Sequence, residues 1–228
     1  MLKTITISLL LLSVCHSVSA QHLDLSKQEK DSLISLLFQA DTEDQRYRSG
    51  MQEVQSKYGG DSPEMKTLLR KMTVADSINL IKISSILDHY GWLGPAAIGS
   101  QGNATLFMVI QHSDIKAQEK YLPMMRDAVQ KGNAKARSLA LLEDRVALHH
   151  GQRQLYGSQV IWNMKTNKYQ LAPLEDPDNV DTRRLTAGLP PLKEYLSVFG
   201  LEWNVEQFKK EAAANEADFF KRTPGTPH

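Results

Sequence analysis

Apolar residues recur at helical spacing through most of this chain. Ser26-Lys27-Gln28-Glu29 has the order of a capping box, in which a serine and a glutamate satisfy each other's exposed backbone amides at a helix start. Leu33, Leu36, Leu37 and Ala40 then form one stripe. The pattern weakens through "DTEDQRYRSG", resumes with Met51, Val54 and Tyr58, and stops at Gly59-Gly60. Ser62-Pro63 opens a further helix, with proline at its favoured first position. A longer helix is predicted from about Thr73 to Tyr90, with Leu80, Ile83, Leu87 and Tyr90 on one side. "GWLGPAAIGSQGNA", rich in Gly and Pro, reads as a loop. Leu106 to Ile110 are apolar on every side and predict a central, fully buried helix. Amphipathic helices near 114–131 and 134–150 follow, separated by Gly132-Asn133.

The period then changes. In "QVIWNMKTNKYQLAPL" Val160, Trp162 and Met164 alternate, Lys165 to Lys168 supply a turn, and Tyr169 and Leu171 return. Two short helices broken at Gly188-Leu189-Pro190-Pro191 and a polar helix from about Val205 to Lys221 complete the pattern. The expectation is a mainly α fold: one helical-bundle domain over residues 21–221 carrying a single β-hairpin at about 159–172, with 222–228 as a flexible tail.

The first twenty residues stand outside that fold. Lys3, the apolar run Ile5 to Val14 and the small-residue site Val18-Ser19-Ala20 have the order of a secretory signal peptide, and the run is too short to span a bilayer. A lipoprotein signal acylated at Cys15 is the rival reading, weakened by bulky Val14 before the cysteine. An exported bacterial protein, periplasmic or secreted, is therefore expected, with no stable membrane insertion after cleavage. Cys15 is the only cysteine, so disulfides, thiolate zinc sites and cysteine nucleophiles are excluded from the mature chain. The 27 basic and 26 acidic residues nearly balance, which gives no electrostatic reason to expect nucleic acid as a partner.

Several polar residues fall where the apolar pattern predicts burial. Gln111 and His112 end the buried segment, Asp114 and Gln118 begin the next helix, and Asp76 and Asn79 flank the apolar face of theirs. Asp144 and Arg145 share a stripe with Leu141 and Leu148, while Gln154, Tyr156 and Gln159 lie in the link to the hairpin. Taken singly, each has a structural explanation. Asp114 suits a helix N-cap, Asp144 and Arg145 can form ion pairs with other helices, and the glutamines can satisfy backbone groups. Taken together, they fit a polar pocket. In it His112 can act as general base with Asp114 or Asp144 orienting its ring, and Arg145 can hold a carboxylate or phosphate. Tyr156, Gln154 and Gln159 can hold a carbonyl, sugar or amide group, with Asp76, Asn79, Gln111 and Gln118 as further ligand-binding positions. No nucleophile-elbow serine, no His-Glu-x-x-His and no spaced histidine pair is present, so neither covalent catalysis, a metal nor another cofactor is expected.

The order Asp76-x-x-Asn79, Gly91-Trp92, Gln111-His112-x-Asp114, Leu142-x-Asp144-Arg145 and Gly151-x-x-Gln154-x-Tyr156-Gly157-Ser158-Gln159 resembles a bacterial family classed only as a domain of unknown function. Arg183-Arg184, Gly188-Leu189, Leu192 and Tyr195 extend the resemblance, which covers roughly residues 74 to 198. Leu93-Gly94-Pro95 follows Gly91-Trp92 where the family often reads Gly-Trp-Pro, and Ser158 stands where threonine is usual. The resemblance implies a shared site at these positions and implies no activity. Two functions follow: a pocket that binds, or hydrolyses by acid/base chemistry, a small molecule or envelope component, or a non-catalytic interaction module whose polar cluster is structural.

Overall fold

The computed structural model describes residues 25–164 and 166–222. The expected signal sequence and the end of the expected tail lie outside the described residues. The protein is mainly helical, with one two-stranded antiparallel hairpin in its C-terminal half.

Helix α1 spans Lys27–Arg48 and opens on the predicted capping box, Ser26 N donating to Glu29 Oε2 at 2.8 Å and Glu29 N donating to Ser26 Oγ at 3.3 Å. It does not weaken at "DTEDQRYRSG". The buried stripe Leu33, Leu37, Ala40 continues one turn further to Asp44, so an acidic residue occupies the core face. Short α2 (Met51–Tyr58) ends at Gly59, which takes the positive φ that residues with a Cβ avoid. Helix α3 then runs unbroken from Pro63 to Tyr90, where the sequence pattern had implied two pieces. The Ser62 side chain caps it, accepting from Met65 N at 3.1 Å.

The segment read as a Gly- and Pro-rich loop is largely helix. Helix α4 covers Pro95–His112, with a kink at Gly99, where φ is 73°. Pro95 stands at the first position, where its missing N–H costs nothing. Gly102 faces α1 so closely that a Cβ would lie 3.0 Å from Leu37 Cδ1. Here glycine serves close helix packing rather than a turn. The last turns of α4 are buried, as the all-round apolar run predicts.

Helices α5 (Ile115–Gln130) and α6 (Ala136–His149) pack as a pair, and α1, α3 and α4 form the other side of the bundle. Leu37, Ile83, Leu87, Leu106, Ile110, Met125 and Leu142 are fully buried between them. Strands β1 (Val160–Asn163) and β2 (Lys168–Leu171) pair with Val160 opposite Leu171 and Trp162 opposite Tyr169. After a 3-10 turn at Pro177–Asn179, α7 (Val180–Thr186) and α8 (Leu192–Ser197) build a second, smaller core of Leu174, Val180, Leu192 and Leu196. Helix α9 (Val205–Arg222) completes the described chain, and among the described residues no helix is long and apolar enough to cross a membrane.

Candidate functional site

Two polar constellations emerge, and they take up most of the predicted residues. The first fixes the link between α6 and the hairpin. Asp144 is buried, and its carboxylate accepts from the backbone amides of Leu155 at 2.7 Å, Tyr156 at 3.0 Å and Ser158 at 3.0 Å. Burial raises its pKa above the usual carboxylate value, while these amide donors oppose the rise. The carbonyls of the same loop turn the other way. Arg184, almost fully buried, donates to Tyr156 O at 2.6 Å and Pro190 O at 2.6 Å, and its guanidinium lies over the Tyr195 ring. Arg183 donates to Leu155 O at 2.8 Å. A carboxylate on one side and two guanidiniums on the other thus hold this loop without pairing with each other.

Gln154 and Gln159 belong to the same brace. The Gln154 amide donates to Gln159 O and Ala172 O and accepts from Gln159 N, while Gln159 Nε2 donates to Leu141 O. The Tyr156 backbone is held on both sides, and its phenol pKa is raised by burial and by the charges of Glu143 and Asp144. Asp114 caps α5, accepting from Ala117 N at 2.9 Å, and Gln118 donates to Gln111 O and Ser113 O. The side chains of Asp114, Gln118, Gln154 and Gln159 thus answer backbone groups.

The second constellation centres on His112. The carboxylate at its ring is not Asp114 or Asp144 but Asp44 of α1, with Nδ1 to Oδ1 at 2.9 Å and to Oδ2 at 3.1 Å. Asp114 and Asp144 are held by their backbone amides, whereas the core-facing stripe of α1 carries Asp44 straight to the end of α4. An ionised carboxylate accepts only, so Nδ1 carries the proton, and in the neutral imidazole Nε2 presents a lone pair. Gln45 Nε2 donates to Asp44 Oδ2 at 2.7 Å, and Arg48 reaches Asp44 Oδ1 at 3.2 Å. Arg48 also makes a bidentate pair with Asp76 at 2.9 and 2.8 Å. Asn79, one turn on from Asp76, donates to Ala40 O at 3.0 Å. The side chains of His112, Arg48 and Asp76 keep 18%, 16% and 17% exposure, so solvent reaches a cluster whose central carboxylate is buried.

Arg145 stands apart from both sets. It makes no hydrogen bond or ion pair with any described residue, and its Nε is buried without a protein partner. Burial depresses its pKa, and the charge of Arg48 pushes it the same way. Asn79 Oδ1 and Gln111 Oε1, on two more of the predicted positions, are likewise buried without partners. A shallow hollow of about 770 Å³ along Lys27, Asp31, Ser35 and Gln39 lies elsewhere and is lined by none of the predicted site residues, so hollow and predicted site do not coincide there. Among the described residues, no group of three or more His, Cys, Asp or Glu is placed to hold a metal ion.

Asp44 and Arg48 were missed from sequence, although the signal was present. They extend the Leu33, Leu37, Ala40 series by further steps of four, on the same face of α1.

A mainly helical domain with one hairpin and a carboxylate-oriented histidine at the end of α4 is the class that fold and site define. The chain belongs to the DUF6624 family, a family of unknown function, whose model matches residues 33–205. That span takes in α1 from Leu33 onward, and with it Asp44 and Arg48, and so exceeds the motif-bearing region 74–198. No curated protein and no solved structure matches the chain.

Proposed function

We propose that this protein is an exported small-molecule-binding enzyme in which His112 acts as general base, hydrolysing an amide, glycan or phosphate substrate of the cell envelope. The observation that carries the reading is the Asp44–His112 contact at 2.9 Å. It fixes the tautomer, leaves Nε2 as the proton acceptor, and places a negative charge where an imidazolium would form. The Arg48–Asp76 pair in turn holds Asp44, so the geometry of the base is braced across three helices. Export rests on the sequence of residues 1–20.

The purified protein, assayed against chromogenic ester, amide, glycoside and phosphomonoester panels, should turn over at least one class. His112→Gln should slow that turnover roughly 100-fold or more, the usual weight of a positioned base. Absence of turnover in every class, or equal rates in wild type and variant, would overturn the reading.

A second reading, a non-catalytic exported interaction module, has one observation in its favour. Val74, Ile78 and Ile81 lie exposed at helical spacing along α3.

A further inference from the structure

The sharpest anomaly in the charge arrangement is Arg145. A guanidinium carries five donors and stays protonated at any working pH, so burying part of it without a partner is costly. The carboxylates beside it in the chain and those that meet Arg48 are already engaged. Its neighbour Asp144 is saturated by three backbone amides, Glu143 pairs with Arg126 at 2.8 Å, and Asp76 and Asp44 both serve Arg48. Arg48 lies near enough for its positive charge to act on Arg145, so two cations share a region of the interior. Tyr195 also acts electrostatically on Arg145, but its hydroxyl donates to Ser158 O at 2.7 Å. Among the described residues, no anion therefore pairs with Arg145.

We propose that Arg145, with Arg48 behind it, forms an oxoanion subsite on the Arg48 side of the Asp44–His112 pair, and that the ligand presents a carboxylate or phosphate group to it. The planar fork of Arg145 matches two oxygens of either group, and Arg48 adds charge without giving up its own carboxylates. This assignment rests on the proposed His112 site and names the substrate class: a molecule with an oxoanion next to the bond that His112 acts upon. The anion supplies the missing counter-charge, so its binding stabilises the folded protein.

The test titrates inorganic phosphate and, separately, acetate into the full protein at constant ionic strength with chloride as balance. Binding is followed by calorimetry and by Tm. At least one of the two should bind saturably and raise Tm, and which one does so separates a phosphate from a carboxylate ligand. Arg145→Gln should weaken that binding about tenfold or more, as losing hydrogen bonds to a charged group does. Without added anion its Tm should equal or exceed that of wild type. Arg145→Lys, which keeps the charge and loses the fork, should also bind about tenfold more weakly, and it decides the matter if Arg145→Gln does not fold. No saturable binding of either anion to wild type, or unchanged affinity in the variant that folds, overturns the proposal. His112→Gln should retain oxoanion binding. Lost anion binding with His112-dependent turnover intact refutes the subsite alone, and the reverse refutes the acid/base role alone.

Discussion

Asp44 on α1 and His112 on α4 meet at 2.9 Å although 68 residues separate them in the chain. The contact joins the first helix of the bundle to the end of its most buried one. Asp44 also takes donors from Gln45 and Arg48, so the carboxylate is oriented before any ligand arrives.

Removing the imidazole should affect chemistry more than stability. His112 is partly open to solvent, and its one protein partner, Asp44, keeps two other donors. His112→Gln is expected to change unfolding free energy by no more than about 1 kcal/mol, the net worth of one hydrogen bond. Urea denaturation of the two proteins checks this; a loss several times larger would make His112 a structural strut.

Asp144→Asn should do the opposite. An asparagine can accept from two of the three amides but turns an N–H toward the third, so a loss of about 1–3 kcal/mol is expected at neutral pH. The pH dependence has a definite sign. Because the folded pKa is raised above the ordinary aspartate value, the native state retains a proton that the unfolded chain has released. The contribution of Asp144 to stability thus falls as pH rises from that unfolded value through the folded one, and is level above it. The advantage of wild type over Asp144→Asn should narrow across that window. An advantage that widens with pH there would contradict the assignment.

Arg184→Met tests the other half of the loop clamp. It would strand the carbonyls of Tyr156 and Pro190 in the interior and remove the cation from the Tyr195 face. A loss of roughly 2–4 kcal/mol is expected, since buried groups left unpaired cost about 1–3 kcal/mol each. Arg183→Met, at a more exposed position, should cost less. Equal losses measured by thermal unfolding would show that burial at Arg184 carries no weight.

Glycines in the same loop separate backbone from packing. Gly151 and Gly157 both have positive φ, 71° and 64°, but a Cβ at Gly151 meets nothing within 4 Å, while one at Gly157 would lie 3.0 Å from Leu192 Cδ1. Gly151→Ala should cost about 1–2 kcal/mol for the left-handed conformation alone. Gly157→Ala should cost more, because Leu192 is in the smaller core and must give way. Similar Tm values for the two variants would rule out that crowding.

Local pattern carried a good deal of this molecule. The capping box at Ser26, the stop at Gly59, the Ser62-Pro63 start, the helices on either side of Gly132 and the hairpin were legible because each depends on a few neighbouring residues. The same logic failed at "GWLGPAAIGSQGNA", where proline begins a helix and Gly102 fits against Leu37. Composition alone cannot tell a glycine that turns the chain from one that lets two helices touch.

The sequence by itself determined that His112, Asp144 and Arg145 sit on faces otherwise apolar, and hence that each must be answered by something. What answers them was decided only by the tertiary structure. Periodicity assigns a residue to a face of its own helix but does not say which faces meet. Asp44 reaches His112 because α1 lies along α4, and Asp144 meets the 155–158 amides because the chain folds back over α6. Arg145 is left without an answer because the carboxylates around it are already taken, a fact that exists only once all the helices are in place.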